Sequence, residues 1–273
     1  MKTQEDIARV VNTERYPLHP LSSPESQTFV THCRQAIRTE GLCLLPEFIT
    51  PNALAAMRRE AEVVSTRAFF CDNTHNAYLR DDDPSLPETH PGRFQMRTEV
   101  GSVAYDYLPL EGVLAQLYQW DGLTEFIGAV LERENSYRSA DPLGALSINV
   151  FAPGGSHAWH FDESMFTVTL MLQPGDEGGY FEYVPNLRTA ADDNYTGVGR
   201  VLDGDRSEVI RAPFEPGTLF LFAGRYSLHQ VTLLHGTCPR LVAVLCYESE
   251  PGVTNSDEVR KLFWGRTGRE AAA

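Results

Sequence analysis

Two hydrophobic rhythms divide the chain. In SSPESQTFVTHCRQAIRTEG the apolar positions Phe29, Val30, Cys33, Ala36 and Ile37 recur at the spacing of one helical face. Ser23, before Pro24 and Glu25, is the N-cap signal of that helix, and Gly41 is its stop. LCLLPEF then reads as a short buried strand ended by Pro46. Thr50, with Pro51 at the first helical position, opens a second helix through Thr66. Two further helices are expected near residues 110–120 and 122–133. Residues 71–95 are dense in Asp, Pro and Asn, which predicts a loop; its length suits a lid over a site, with Thr74, His75 and Asn76 in it.

From Leu146 the period shortens. LSINVF, HAWHF, FTVTLML, YFEYV, SEVIRA, TLFLF, LHQVTLL and RLVAVLCYE are β-type runs, broken by APGGS, QPGDEGG, EPG and HGTCP. Eight short strands at this spacing predict a double-sheet jelly roll. The fold class is therefore α+β: an all-β jelly-roll core over residues 144–248, buttressed by an N-terminal helical part. The expected organisation is a single domain over 1–273, with residues 1–140 as helices and lid loop and a closing helix over 256–264. PNLRTAADDNYTGVGRVLDGD is an insertion between the fourth and fifth strands, and the final GREAAA reads as a frayed tail.

Composition narrows the class without naming a function. Hydrophobic residues are 42% and charged residues 22%, which suits a globular chain. The net charge of −14 argues against a nucleic-acid partner, since phosphate neutralisation needs a Lys/Arg surplus. No apolar run is long enough to span a bilayer, so no membrane partner is expected. The start, MKTQEDIARVVNTERY, lacks the apolar core of a secretory signal. The five cysteines are scattered, with no CxxC, and read as free thiols of a cytoplasmic protein. The sequence leaves the oligomeric state open, a homodimer being one alternative.

The chemistry concentrates at His160-Phe161-Asp162, with His229 on a later strand and Arg240 eleven residues beyond it. Residues i and i+2 of a strand share a face, so His160 and Asp162 project together. A second imidazole, His229, completes a facial set of two nitrogens and one carboxylate, which suits a non-haem Fe(II) with open positions. Arg240, opening the eighth run, presents a guanidinium that can grip a carboxylate with two parallel hydrogen bonds.

HxD, His229 after 69 residues and Arg240 beyond it resemble the Fe(II)/2-oxoglutarate-dependent oxygenases with a double-stranded β-helix core. CDNTHNAYL, GSVAYDYLP, ADPLGALSINVF, GSHAWHFDESMFTVTLMLQ, GGYFEYVPNLR and GRYSLHQV extend the likeness over nearly the whole chain. They resemble the free-amino-acid radical halogenases and hydroxylases typified by the lysine halogenase, and a fungal valine aziridine-forming oxygenase of that lineage. The resemblance implies Fe(II) on His160, Asp162 and His229, and 2-oxoglutarate gripped by Arg240. It also implies O₂ as co-reactant, with succinate and CO₂ as by-products. Halogenases of the family carry Gly where this chain has Asp162, which leaves room on iron for chloride; with Asp162 present the resemblance implies hydroxylation or another oxidative outcome, not halogenation.

The same resemblance implies substrate contacts at Arg97, His157 and Trp264. Strand parity puts His157 on the face opposite His160 unless the strand bulges or starts after it. A buried ε-ammonium would need carboxylates. Leu143, Leu146, Val242, Val244 and Cys246 offer none, and Glu163 remains as one candidate acid. The expected substrate is thus a small or apolar free amino acid. Aziridine formation or desaturation at the same iron is an alternative outcome, and a cupin-like metal-binding protein without oxygenase activity is an alternative from another class.

Overall fold

The computed structural model describes residues 4–270; Ala271–Ala273 of the closing GREAAA lie outside the described residues. Along the chain come α1 (Gln4–Ala8), α2 (Pro24–Glu40), β1 (Leu42–Leu45), α3 (Pro51–Ser65), β2 (Phe69–His75) and β3 (Met96–Val103). Then follow α4 (Val113–Tyr118), α5 (Asp121–Val130), β4 (Tyr137–Arg138), β5 (Leu146–Phe151), β6 (His157–His160) and β7 (Thr167–Gln173). Next are β8 (Glu177–Gly178), β9 (Phe181–Val184), α6 (Tyr195–Leu202), β10 (Ile210–Arg211), β11 (Leu219–Phe222) and β12 (Leu228–Val231). The series ends with β13 (Leu234–His235), β14 (Arg240–Leu245), β15 (Tyr247–Glu248) and α7 (Asp257–Trp264).

Local signals explain the helix ends. Ser23 Oγ accepts the Ser26 amide at 3.1 Å, and Gly41, at φ 73°, closes α2 by donating to Ile37 O. A seven-stranded antiparallel sheet has the order β1-β11-β7-β14-β5-β3-β2, and a four-stranded sheet has the order β10-β9-β12-β6. They are the two layers of the expected jelly roll.

Alternation decides what each face does. On one side of the large sheet Ile148, Val150, Leu170, Leu172, Leu221 and Ala243 pack on helical residues such as Val30, Met57, Leu117 and Phe126. The helical first half thus buttresses the sheet. On the other side Ser147, Asn149, Thr169, Phe220, Arg240 and Val242 turn toward the small sheet and line a cavity.

The structure corrects the sequence reading in three places. Cys71–His75 belongs to β2, not a loop, and pairs residue for residue with β3, Asp72 opposite Glu99 and Thr74 opposite Arg97. As an edge strand with mostly exposed residues it carries no hydrophobic alternation to betray it. SEVIRA contributes only Ile210–Arg211, and RLVAVLCYE breaks at Cys246 into β14 and β15. No residue of 71–95 lines the cavity. That segment instead crosses the outer face of the small sheet, where Ala77 and Tyr78 pack with Trp159, Phe161, Val198 and Val201. Arg80 forks onto Asp193 of the insertion at 2.6 and 3.0 Å.

Candidate active site

In β6 one extra residue reshapes the ladder. His160 pairs with His229 and His157 with Val231, so Ala158 and Trp159 together face Gln230 alone. Such a bulge shifts strand parity by one. It brings His157 to the His160 side, with ring centroids 3.8 Å apart and stacked. Thr98 Oγ1 accepts the amide of Ala158 at 3.0 Å, satisfying a donor freed by the bulge.

His160, Asp162 and His229 converge, their ligand atoms all within 4.8 Å of one another. His160 Nδ1 faces Ala158 O at 2.7 Å and His229 Nδ1 faces Ser227 O at 3.0 Å. A carbonyl only accepts, so each Nδ1 carries the proton and each Nε2 presents a lone pair to the site. Asp162 Oδ1 lies 3.6 Å from His160 Nε2 and 3.4 Å from His229 Nε2. Oδ2 accepts the Thr167 hydroxyl at 2.7 Å, which leaves Oδ1 for a metal.

The electrostatics agree with a cation site. Burial and then His229 lower His160 to about 4, so its imidazole is neutral at pH 7. Burial alone would raise Asp162, but the adjoining His229 and His160 rings hold it well below the usual carboxylate range. Two imidazoles and one carboxylate are the donor set that fits Fe(II).

Gly224 is part of this arrangement. Asp162 N donates to Gly224 O at 3.1 Å, and a Cβ on Gly224 would fall 1.8 Å from Asp162 Oδ2. Only a residue without a side chain leaves the carboxylate where it is. Sequence reasoning missed Gly224, because FAGRYS shows only a turn and the contact joins segments 62 residues apart, and Thr167, because its hydroxyl reaches Asp162 across an irregular bend that strand spacing does not describe.

Arg240 is 3% exposed and opens β14 opposite Phe151. Its Nε has no hydrogen-bond partner, and no carboxylate pairs with it among the described residues. Phe151 and Phe214 flank it at 5.1 and 5.8 Å. Burial pushes its pKa down to about 9. A buried guanidinium without an anion is a costly arrangement, and a carboxylate such as the distal one of 2-oxoglutarate fits it.

The cavity between the sheets measures about 280 Å³ and holds the triad and Arg240. Asp162 is the one carboxylate in its lining and Arg240 the one guanidinium, among the described residues. His157 and Trp264 both line it. Arg97 is not brought to it: its side chain is 59% exposed and forks onto Asp72 at 2.7 and 2.8 Å, with Glu99 at 2.7 Å. Glu163 is exposed, and Leu143 and Leu146 are buried away from the cavity, whereas Val242, Val244 and Cys246 line it. His75 is no ligand: its Nδ1 faces Asn76 O and its Nε2 the Thr98 hydroxyl, and it stands edge-on to His157 and His160.

Comparison with known proteins places this site in context. The profile of the family described as HalD, Halogenase D, matches residues 25–261. The fold is similar to that of AviO1 from Streptomyces viridochromogenes Tue57, with 15% identity and a TM-score of 0.55, over 81% of this chain and 95% of that one. It is similar to the non-heme alpha-ketoglutarate-dependent epimerase SnoN from nogalamycin biosynthesis, with 13% identity and a TM-score of 0.53, over 81% and 83%. It is also similar to a 2OG-Fe(II) oxygenase family oxidoreductase from Burkholderia pseudomallei, with 16% identity and a TM-score of 0.51, over 82% and 92%. At these identities the structures show a shared fold. No curated protein matches.

Proposed function

We propose that this chain, which belongs to the halogenase D family, hydroxylates an unactivated C–H bond of a free amino acid with a small or apolar side chain. The family and the site make it a non-haem iron, 2-oxoglutarate-dependent enzyme. The substrate and the outcome are the proposal.

The observation that supports oxidation rather than halogenation is the Asp162 carboxylate, seated by Thr167 and Gly224 beside the two imidazoles. It takes the ligand place that the halogenases of the resembled family leave to chloride. Iron held by His160, Asp162 and His229, with 2-oxoglutarate and O₂, would supply the oxidising power for C–H oxidation. The protein's own part is positioning. Ala158 and Ser227 carbonyls fix the tautomers of His160 and His229, and Arg240 holds the far carboxylate of the cosubstrate. Phe151, Phe181, Phe220 and Phe222 wall the cavity and exclude water.

The substrate reading rests on charge. With Asp162 committed to the metal, no acid is left in the lining to pair with a cationic side chain. His157 and Trp264 are our proposed substrate contacts; Arg97 joins them only by exchanging Asp72 and Glu99 for the substrate carboxylate. The test is anaerobic loading with Fe(II) and 2-oxoglutarate, then exposure to O₂ with each of the common amino acids. A product heavier by one oxygen atom supports hydroxylation. A product lighter by two hydrogens refutes it in favour of ring closure or desaturation, and turnover with lysine or ornithine alone refutes the substrate class.

A further inference from the structure

We propose that the end of the cavity remote from Arg240 binds an uncharged hydrogen-bonding group, a hydroxyl or a carboxamide, on the substrate side chain. The inference rests on the free-amino-acid reading and, within it, replaces the apolar side chain with an uncharged polar one.

The register fixes two separate ends. Arg240 pairs with Phe151, Val242 with Asn149 and Val244 with Ser147. Ser147 lies four residues from Phe151 along β5, roughly 13 Å at the usual strand rise. At the Ser147 end, Ser102 and Asn149 are direct cross-strand partners on one face, and Ser147 stands two residues from Asn149 on the same face. Asn255 and Trp264 come from the C-terminal segment and reach over Gly144, where a Cβ would fall 2.5 Å from Asn255 Nδ2 and from Trp264 Cη2.

These groups share one property. Ser102 is 4%, Ser147 5% and Trp264 8% exposed, and all line the cavity. The Trp264 indole N–H is buried without a partner. The side chains of Ser102, Ser147, Asn149 and Asn255 make no hydrogen bond to any described residue. The hydroxyls and amides both donate and accept, and the indole donates. A charged group here would meet no counter-charge, because the cavity's carboxylate and guanidinium are committed to metal and cosubstrate. An aliphatic group would leave the buried polar atoms unmatched. A hydroxyl or carboxamide meets both demands, which points to threonine, serine, asparagine or glutamine.

The test compares substrates of equal shape: threonine against valine, and asparagine against leucine, read as substrate-dependent succinate formation. At least one polar member is expected to exceed its apolar partner in kcat/KM by about tenfold or more. Ser147→Ala and Ser102→Ala, checked for folding by thermal melting, are expected to bring that ratio toward unity. Valine and leucine equalling or beating their polar partners overturns the proposal, as does a polar preference that both variants leave intact. A second measurement follows the Trp264 indole N–H resonance, assigned with Trp264→Phe, during titration with acetamide. If no amino acid supports turnover but acetamide moves the resonance, the subsite stands and the amino-acid reading falls. If acetamide leaves it in place, the subsite falls.

Discussion

Gly224→Ala puts a methyl group where the Asp162 carboxylate now sits. The added carbon would lie 1.8 Å from Oδ2, 2.5 Å from Cγ and 2.9 Å from Cβ. Non-bonded contacts are comfortable at about 3.5 Å, so the carboxylate must withdraw by roughly 1.5 Å. It cannot do so and keep the 2.7 Å bond from Thr167. Losing a hydrogen bond to a charged acceptor costs about 1.5–3 kcal/mol. Removing a partner that orients a metal ligand lowers metal affinity about 10–100-fold; displacing the ligand itself should do more, so we expect a loss of at least about 100-fold for Fe(II). Anaerobic calorimetric titration of the metal-free protein with Fe(II) measures it, with thermal unfolding as the control for fold. The decisive arm is a double-mutant cycle. In an Asp162→Gly background the new methyl meets no carboxylate, so Gly224→Ala should cost less than about threefold there. Fe(II) affinity within threefold of wild type in Gly224→Ala, or equal losses in both backgrounds, would refute the reasoning.

Three further predictions concern neighbouring parts. Arg240→Ala should weaken 2-oxoglutarate binding by about 2–5 kcal/mol, judged from buried charge pairs, while Fe(II) affinity changes little; titrations of each, with equal losses in both, would contradict the assigned role. Asp162→Gly should abolish hydroxylation by opening an iron position, and product mass spectrometry with chloride present reads whether any halogenated product replaces it. Asp141 accepts the Leu143, Gly144 and Asn255 amides and Arg260, and Asp141→Asn should destabilise the fold by about 3 kcal/mol as a broken buried pair. Burial raises the Asp141 carboxyl, but these hydrogen bonds outweigh it and leave its pKa below the usual 3.8. A depressed folded pKa stabilises above the unfolded value and is lost as pH falls through the folded one. The wild-type advantage in chemical denaturation should therefore persist at pH 5–7 and disappear only below pH 4; an advantage that vanishes above pH 5 would count against it.

Much of the site could be read from the sequence because its information is local. His160 and Asp162 announce themselves by a spacing of two on a strand, and His229 and Arg240 fall on strands whose apolar alternation is plain. The helices α2 and α3 are equally visible, since Ser23, Pro24, Gly41 and Pro51 act within a single turn. What escaped depends on partners distant in the chain. β2 is an edge strand whose exposed DNTH resembles loop composition. The bulge at Ala158–Trp159 is defined by its pairing with β12 and by Thr98, so parity alone could not settle His157. Arg97 lies two residues from Glu99 and across from Asp72's strand, and its ion pairs follow from a hairpin the composition hid. The polar end of the cavity joins β3, β5, the segment before α7 and the last residue of α7, which no short motif records.

The opposite faces of the large sheet also bear on how this protein can change. Along β5, Leu146, Ile148 and Val150 hold the helices, while Ser147 and Asn149 between them face the cavity. β14 repeats the division, with Leu241, Ala243 and Leu245 alternating with Arg240, Val242 and Val244. Positions that line the cavity are thus interleaved with positions that pack on the helices, yet they point away from them. A lineage can vary residues 102, 147, 149, 242 and 244 and explore new substrates while the helical core is left undisturbed. The same separation makes these five positions a compact library for redirecting the enzyme, with His160, Asp162, His229 and Gly224 held constant.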